Sequence, residues 1–208
     1  MKTQRTHYQL IVDKSGSMSD CIEATINGFN EQLNRIRQME TEFPEQDIRI
    51  GLTLFNDTVN QLRMGDPVRD MPLMSRENYV PGGCTALLDA IGQTIQLLKE
   101  HESSRNDLPI TYVVVILTDG YENSSRYFNL EQIRSEIQKL ESTGRWTFSF
   151  IGATLDAVDV AKQMAIKEQN SYHFRKESMK GEVWDKLSGS MHGYFSKKRS
   201  GDDISNLF

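Results

Sequence analysis

The 208-residue sequence predicts an α/β protein: a doubly wound, mostly parallel open sheet with one antiparallel edge strand and helices on both faces. Three observations predict it. Short apolar runs alternate with stretches whose apolar residues recur every three or four positions, the pattern of strands interleaved with helices. The strongest run, Tyr112–Leu117, has six consecutive apolar residues, as a strand buried on both faces requires. The strand-like segments Ile48–Leu54 and Val59–Arg63 are joined by too few residues for a crossover, so they run antiparallel.

The elements follow in order. Tyr8–Val12 is a short apolar run that stops at Asp13 and suits a buried strand. Ile22, Ile26, Phe29, Leu33 and Ile36 mark one face of a helix over about 19–39, and Pro44 blocks its continuation. Ile48, Ile50, Leu52 and Leu54 alternate as a strand does, and Asn56-Asp57 turns the chain into Val59–Arg63. Residues 65–83, with Pro67, Pro72, Pro81, Gly65, Gly82 and Gly83, read as a long surface connection. Leu88, Ile91, Ile95 and Leu98 mark a helix over about 85–100. After Tyr112–Leu117 comes the stripe Leu130, Ile133, Ile137 and Leu140, with Gly144 as its stop. Trp146–Ile151 reads as a strand, 156–168 as a helix with Asp156 as N-cap, and Ser171–Phe174 as a short last strand. Val183, Leu187, Met191 and Tyr194 mark a closing helix. The expected organisation is a single domain over 1–195 and a polar, fraying tail over 196–208.

Composition excludes several classes. Lys and Arg number 24 against 29 Asp and Glu, a net charge of −5, which disfavours broad contact with a phosphate backbone. No apolar run approaches the ~20 residues of a membrane helix. Met1–His7 holds no apolar core of a secretory signal. Cys21 and Cys84 alone support neither a disulfide framework nor a cysteine zinc cage. The expectation is a reduced, cytoplasmic protein.

Open α/β sheets place their sites at the C-terminal ends of the strands. Three segments meet that rule: Asp13-Lys14-Ser15-Gly16-Ser17 after the first strand, Gly82-Gly83-Cys84-Thr85 before a helix, and Thr118-Asp119-Gly120 after the central run. Together they supply Asp13, Ser15, Ser17, Thr85 and Asp119, two carboxylates and three hydroxyls. Such hard oxygen donors select Mg²⁺ or Mn²⁺ over zinc. Singly, each has an ordinary explanation: Ser17, Ser19 or Thr85 as a helix cap, Asp119-Gly120 as a turn. A metal site explains their joint occurrence.

Asp13-x-Ser15-x-Ser17, then Thr85, then Asp119-Gly120 resembles the metal-ion-dependent adhesion site of von Willebrand factor type A domains. The likeness extends from about Thr6 to Phe195. The segments Val12–Met18, Thr85–Ile91 and Thr118–Asn123 look like those of the small stand-alone type A proteins of bacteria and phages. The resemblance implies a Rossmann-like sheet and a non-enzymatic protein-binding module. It implies neutral hydroxyl ligands from Ser15, Ser17 and Thr85, with Asp13 and Asp119 partly holding coordinated waters. Neutral donors leave much of the ion's charge uncancelled and a position open. The implied partner is therefore a protein that presents Asp or Glu to Mg²⁺, or to Mn²⁺ in its place, with no membrane and no direct nucleic-acid contact. Lys14, Glu122 and Asn123 are candidates for the partner-binding rim, Lys14 by drawing in an acidic partner. Asp89, four residues after Thr85, is expected to make a structural hydrogen bond.

Alternatives stay open. A metal-dependent phosphohydrolase would use Asp13 as nucleophile, but Ser15 stands where its second acid is usual, and no lysine is placed to balance a phosphate. A type A subunit of a ribonucleoprotein assembly is compatible with the acidic balance. A serine hydrolase lacks its Gly-x-Ser-x-Gly elbow, and a dinucleotide enzyme lacks Gly-x-Gly-x-x-Gly after the first strand. Ser188-Gly189-Ser190-Met191 repeats Ser15-Gly16-Ser17-Met18 inside a helical pattern, where no second ion is expected.

Overall fold

The computed structural model describes residues 3–103, 108–153, 157–176, 179 and 181–208. Its elements are β1 (Gln4–Asp13), α1 (Ile22–Glu42), β2 (Gln46–Phe55), β3 (Val59–Pro67), α2 (Leu87–Ser103), β4 (Ile110–Thr118), α3 (Leu130–Glu141), β5 (Trp146–Gly152), α4 (Ala157–Gln163), β6 (Ser171–His173) and α5 (Glu182–Ser200). The sheet order is β3-β2-β1-β4-β5-β6. All neighbours are parallel except β2 and β3, the antiparallel edge pair. The chain steps outward from β1, then returns to its other side as β4. That reversal leaves the C-terminal ends of β1 and β4 adjacent, with Val12 in register with Leu117.

Period-two alternation sorts the strand side chains into two layers. Val113, Val115 and Leu117 pack under α1 and α5, whereas Tyr112, Val114 and Ile116 pack under α2, α3 and α4. The unbroken apolar run of β4 thus reflects two buried faces. β1 differs: Tyr8, Leu10 and Val12 face the α1/α5 layer, but His7 and Gln9 carry polar groups into the other. Gln9 Nε2 donates to Thr53 Oγ1 at 3.1 Å, and Thr94 Oγ1 of α2 donates to the same oxygen at 3.1 Å. Burial pushes His7 down to about 3, so the ring is neutral in this chain of hydrogen bonds.

Three segments differ from the sequence expectation. The connection over 65–83 is not a free surface loop. β3 continues to Pro67, and Val68, Met71, Met74 and Tyr79 are buried. Arg37 of α1 donates to the Met71 carbonyl at 2.6 Å, and Asn30 brackets the Met74 backbone at 2.7 and 3.0 Å. α4 ends at Gln163 instead of running to 168, because Ala165 takes φ 64° and breaks the right-handed helix; the expected cap, Asp156, lies outside the described residues. The tail, expected to fray, lies against the domain. α5 runs to Ser200, and the chain then folds back. Ile204 and Ser205 carbonyls accept from Thr147 Oγ1 (3.1 Å) and Asn170 Nδ2 (3.0 Å). Leu207 is buried, its N–H donating to Asn170 Oδ1 at 2.7 Å.

Candidate metal centre

Asp13 ends β1, and both of its carboxylate oxygens are held. Oδ1 accepts from the Ser15 N–H at 2.6 Å, and Oδ2 accepts from Thr118 Oγ1, at the end of β4, at 2.6 Å. The buried Tyr79 hydroxyl donates to the Asp13 carbonyl at 2.8 Å. The loop leaving β1 is stitched to the loop before α2. Gly16 N–H donates to the Gly83 carbonyl at 3.0 Å, and Gly82 N–H donates to the Lys14 carbonyl at 2.9 Å. Asn56 and Asp57, in the β2–β3 turn, hold that second loop through Gly82 O (2.7 Å) and Cys84 N–H (3.0 Å).

Thr85 precedes α2 instead of starting it, since its N–H donates to Asn123 Oδ1 at 2.8 Å and its carbonyl accepts from the Asn123 N–H at 3.1 Å. Ser17 Oγ lies 3.1 Å from Ser15 Oγ and donates to Asp119 Oδ1 at 2.6 Å. Gly120 shows how closely these groups converge. A Cβ there would stand 3.1 Å from Thr85 Oγ1, 3.4 Å from Ser17 Oγ and 3.7 Å from Asp13 Oδ2. Three loops that are distant in sequence therefore aim oxygens at one small region beside a residue with no side chain. Asp13, Ser15, Ser17, Thr85 and Asp119 are all brought together.

A family model, the von Willebrand factor type A domain, matches residues 9–186. The chain belongs to the von Willebrand factor type A domain family. No curated protein matches it. Solved structures do. Proximal thread matrix protein 1 from the mussel byssus, with a zinc-occupied MIDAS motif, is 13% identical, with 86% of this chain and 46% of that one covered and a TM-score of 0.61. The manganese-loaded Plasmodium vivax TRAP protein is 17% identical over 88% of this chain and 73% of that one, with a TM-score of 0.58. The vWF domain of the type V pili tip protein Mfa5 from Porphyromonas gingivalis is 9% identical over 92% and 96%, with a TM-score of 0.61. The chain spans less than half the length of the mussel protein, and at these identities the likeness is one of fold.

Two carboxylates and three hydroxyls in this type A domain are oxygen donors of the kind a hard divalent cation takes, and Thr85 Oγ1, Ser17 Oγ and Asp13 Oδ2 all approach Gly120. Burial pushes the Asp13 carboxyl above its usual range; hydrogen bonds from Thr118 and Ser15 pull it back, and the charge of Asp119 adds to the rise. The Asp119 side chain is fully buried, and among the described residues its Oδ2 accepts no well-angled hydrogen bond. What approaches Oδ2 is the ammonium of Lys176, at 2.5 Å, which also donates to the Ser17 carbonyl at 2.9 Å. Burial works against the Lys176 charge, but the contact with Asp119 outweighs it and holds the ammonium above its usual value.

The rim residues have local tasks. Glu122 accepts from the N–H groups of Leu88 (2.9 Å), Ser124 (2.9 Å) and Ser125 (2.7 Å), so its carboxylate ties the loop after β4 to the start of α2. Asn123 clamps Thr85. Asn123 remains exposed and Glu122 partly so, while both side chains hold backbone N–H groups of the neighbouring loops. Lys14 is fixed by its backbone, with the side chain half-exposed. Asp89 does make structural bonds, accepting from the N–H groups of Arg126, Tyr127 and Phe128 at 2.8–2.9 Å. The Ser188 repeat lies within α5, where its hydroxyl contacts Gln32 and the Trp184 carbonyl. Sequence reasoning missed Thr118, Tyr79 and Lys176. Thr118 adjoins a recognised motif, whereas no spacing rule points to a lysine beyond the last strand.

Proposed function

We propose that this chain is a non-enzymatic, metal-dependent protein-binding module. Asp13, Ser15, Ser17, Thr85 and Asp119 would hold Mg²⁺, or Mn²⁺ in its place, and the ion would take an Asp or Glu carboxylate from a partner. The observation that carries this reading is the approach of Thr85 Oγ1, Ser17 Oγ and Asp13 Oδ2 to one region beside Gly120. Hydroxyls are poor at neutralising a dication, so a bound ion keeps the Lewis acidity that an incoming carboxylate satisfies. The zinc-occupied MIDAS motif of the mussel relative and the manganese of the Plasmodium relative support a divalent ion in this family.

The phosphohydrolase alternative loses ground, although the structure supplies the missing lysine at Lys176. A nucleophile needs an accessible oxygen. Asp13 is fully buried, and each of its oxygens already accepts one hydrogen bond, a setting that suits holding an ion or its waters better than in-line attack on a phosphate.

Calorimetry with Mg²⁺ and with Mn²⁺ tests the proposal. Binding of a single ion by the wild type, abolished in Asp13→Ala and Asp119→Ala, is expected. Capture of a protein partner in Mg²⁺ but not in EDTA, lost when the partner's acidic residue is replaced, completes it. Phosphatase activity of the pure protein that disappears in Asp13→Asn, or metal-independent RNA capture that weakens steeply with salt, would overturn it.

A further inference from the structure

We propose that Lys176 is a built-in counter-ion of the metal centre, an ammonium that pairs with Asp119 in the metal-free protein and that a divalent cation must displace. This inference rests on the metal-centre reading above and concerns how that centre is regulated.

Asp119 explains why a counter-ion is needed. Its side chain is fully buried, and Ser17 Oγ satisfies only Oδ1. A second carboxylate, Asp13, is held in the same cluster, and its own hydrogen-bond donors are neutral. An uncompensated buried charge is expensive, so a metal-free site needs a cation from somewhere. Lys176 provides it: Nζ stands 2.5 Å from Asp119 Oδ2 and 2.9 Å from the Ser17 carbonyl. The ammonium is thus bound by two of the five residues assigned to the metal.

Ammonium and dication cannot both be stabilised there. Each needs the same Asp119 charge, and at a few ångströms they repel one another strongly in a poorly solvated setting. The lysine is the one built to leave. It lies between β6 and α5, on a different segment of the chain from the loops that position Asp13, Ser17 and Thr85, and 36% of its side chain is already exposed. Four methylenes carry the ammonium, so it can reach solvent without moving a strand end. The five oxygen donors keep their places while the cation is exchanged. The consequence is a raised threshold: part of the metal's binding free energy is used to expel Lys176, and the centre fills only at higher free metal concentration.

The test is a titration with Mn²⁺ alone, followed by electron paramagnetic resonance at fixed pH and ionic strength. Lys176→Met should bind Mn²⁺ about tenfold or more tightly than the wild type, and Lys176→Arg, which keeps the charge, should not. In EDTA, Lys176→Met should melt below the wild type because Asp119 has lost its partner. A measurement on the wild type guards against a variant that folds poorly: amine labelling read by mass spectrometry should find Lys176 more reactive in Mn²⁺ than in EDTA. If the wild type binds Mn²⁺ but Lys176→Met binds it equally or more weakly, or labelling of Lys176 ignores the metal, the counter-ion role is wrong and the centre stands. If neither the wild type nor Lys176→Met binds Mn²⁺, the metal-centre reading itself has failed and the inference goes with it.

Discussion

Lys198 shows at the scale of one residue how a charge can be structural. It sits near the end of α5, yet its Nζ donates to Thr6 Oγ1 at 2.7 Å, Thr111 Oγ1 at 2.8 Å and the Arg5 carbonyl at 3.2 Å. All three acceptors are neutral oxygens at the start of β1 and β4, the end of the sheet away from the metal centre. Burial, with no carboxylate in contact among the described residues, pushes Lys198 down to about 8, from an ordinary 10.5. The sign of the linkage follows. Below about pH 8 both folded and unfolded chains carry this proton, and the folded state bears the whole desolvation cost. As pH climbs toward 10.5 the unfolded chain keeps a proton that the folded chain has released, so this residue's contribution to stability rises. Urea unfolding of the wild type and of Lys198→Met should therefore show a stability difference that grows in favour of the wild type by about 2 kcal/mol between about pH 7 and about pH 10. A difference independent of pH would mean that the ammonium is solvated in the folded protein.

At the scale of elements, the contact between α1 and α5 depends on Gly28. A Cβ at this position would land inside the buried indole of Trp184. Alanine in a helix interior is worth about 1 kcal/mol over glycine, but overpacking a rigid, buried ring costs about 1–3 kcal/mol. Gly28→Ala should thus lower stability by up to about 2 kcal/mol in a urea titration and alter the near-ultraviolet signal of Trp184; a raised midpoint with an unchanged signal would show that the two helices separate freely. The apolar stripe of α5, Val183 to Tyr194, was legible because it repeats at helical spacing. Its continuation through Lys197-Lys198-Arg199 was not, because periodicity treats charge as solvent-facing. Lys198 instead enters the sheet end, while Arg199 pairs with Glu45 at 2.8 Å and lies 4.3 Å from the Phe43 ring centre. The burial of the connection over 65–83 escapes periodicity for a related reason: its Val68, Met71, Met74 and Tyr79 are buried without any regular spacing. The five oxygen donors were legible because strand ends and short motifs carry them. Lys176 was not, since ion pairing across 57 positions from Asp119 leaves no local pattern.

At the scale of the whole molecule, the proposed centre would add an ion to segments that hydrogen bonds already tie together: the ends of β1 and β4 and the approach to α2. An ion held by all three would bind the folded chain and find no such arrangement in the unfolded one, so metal binding and folding would be thermodynamically linked. Stability should rise as RT ln(1 + [M]/Kd): about 2.7 kcal/mol at a hundredfold excess over Kd, and about 1.4 kcal/mol more for each further tenfold. For a chain of this size 1 kcal/mol corresponds to roughly 2–4 °C, which makes the expected gain about 3–6 °C per decade of free Mg²⁺. Calorimetric melts across several decades of Mg²⁺ should give a flat region below Kd and a logarithmic rise above it. Asp119→Ala should melt at one temperature throughout, because the loops are then no longer joined by an ion. The Lys176 contact adds a second feature to the same curve: while the ammonium occupies Asp119 the onset of the rise is displaced to higher Mg²⁺, and Lys176→Met should move that onset down without changing the slope. The slope reports that a single ion is bound and the onset reports what it must displace, so a rise with wild-type slope and an unmoved onset would separate the two claims.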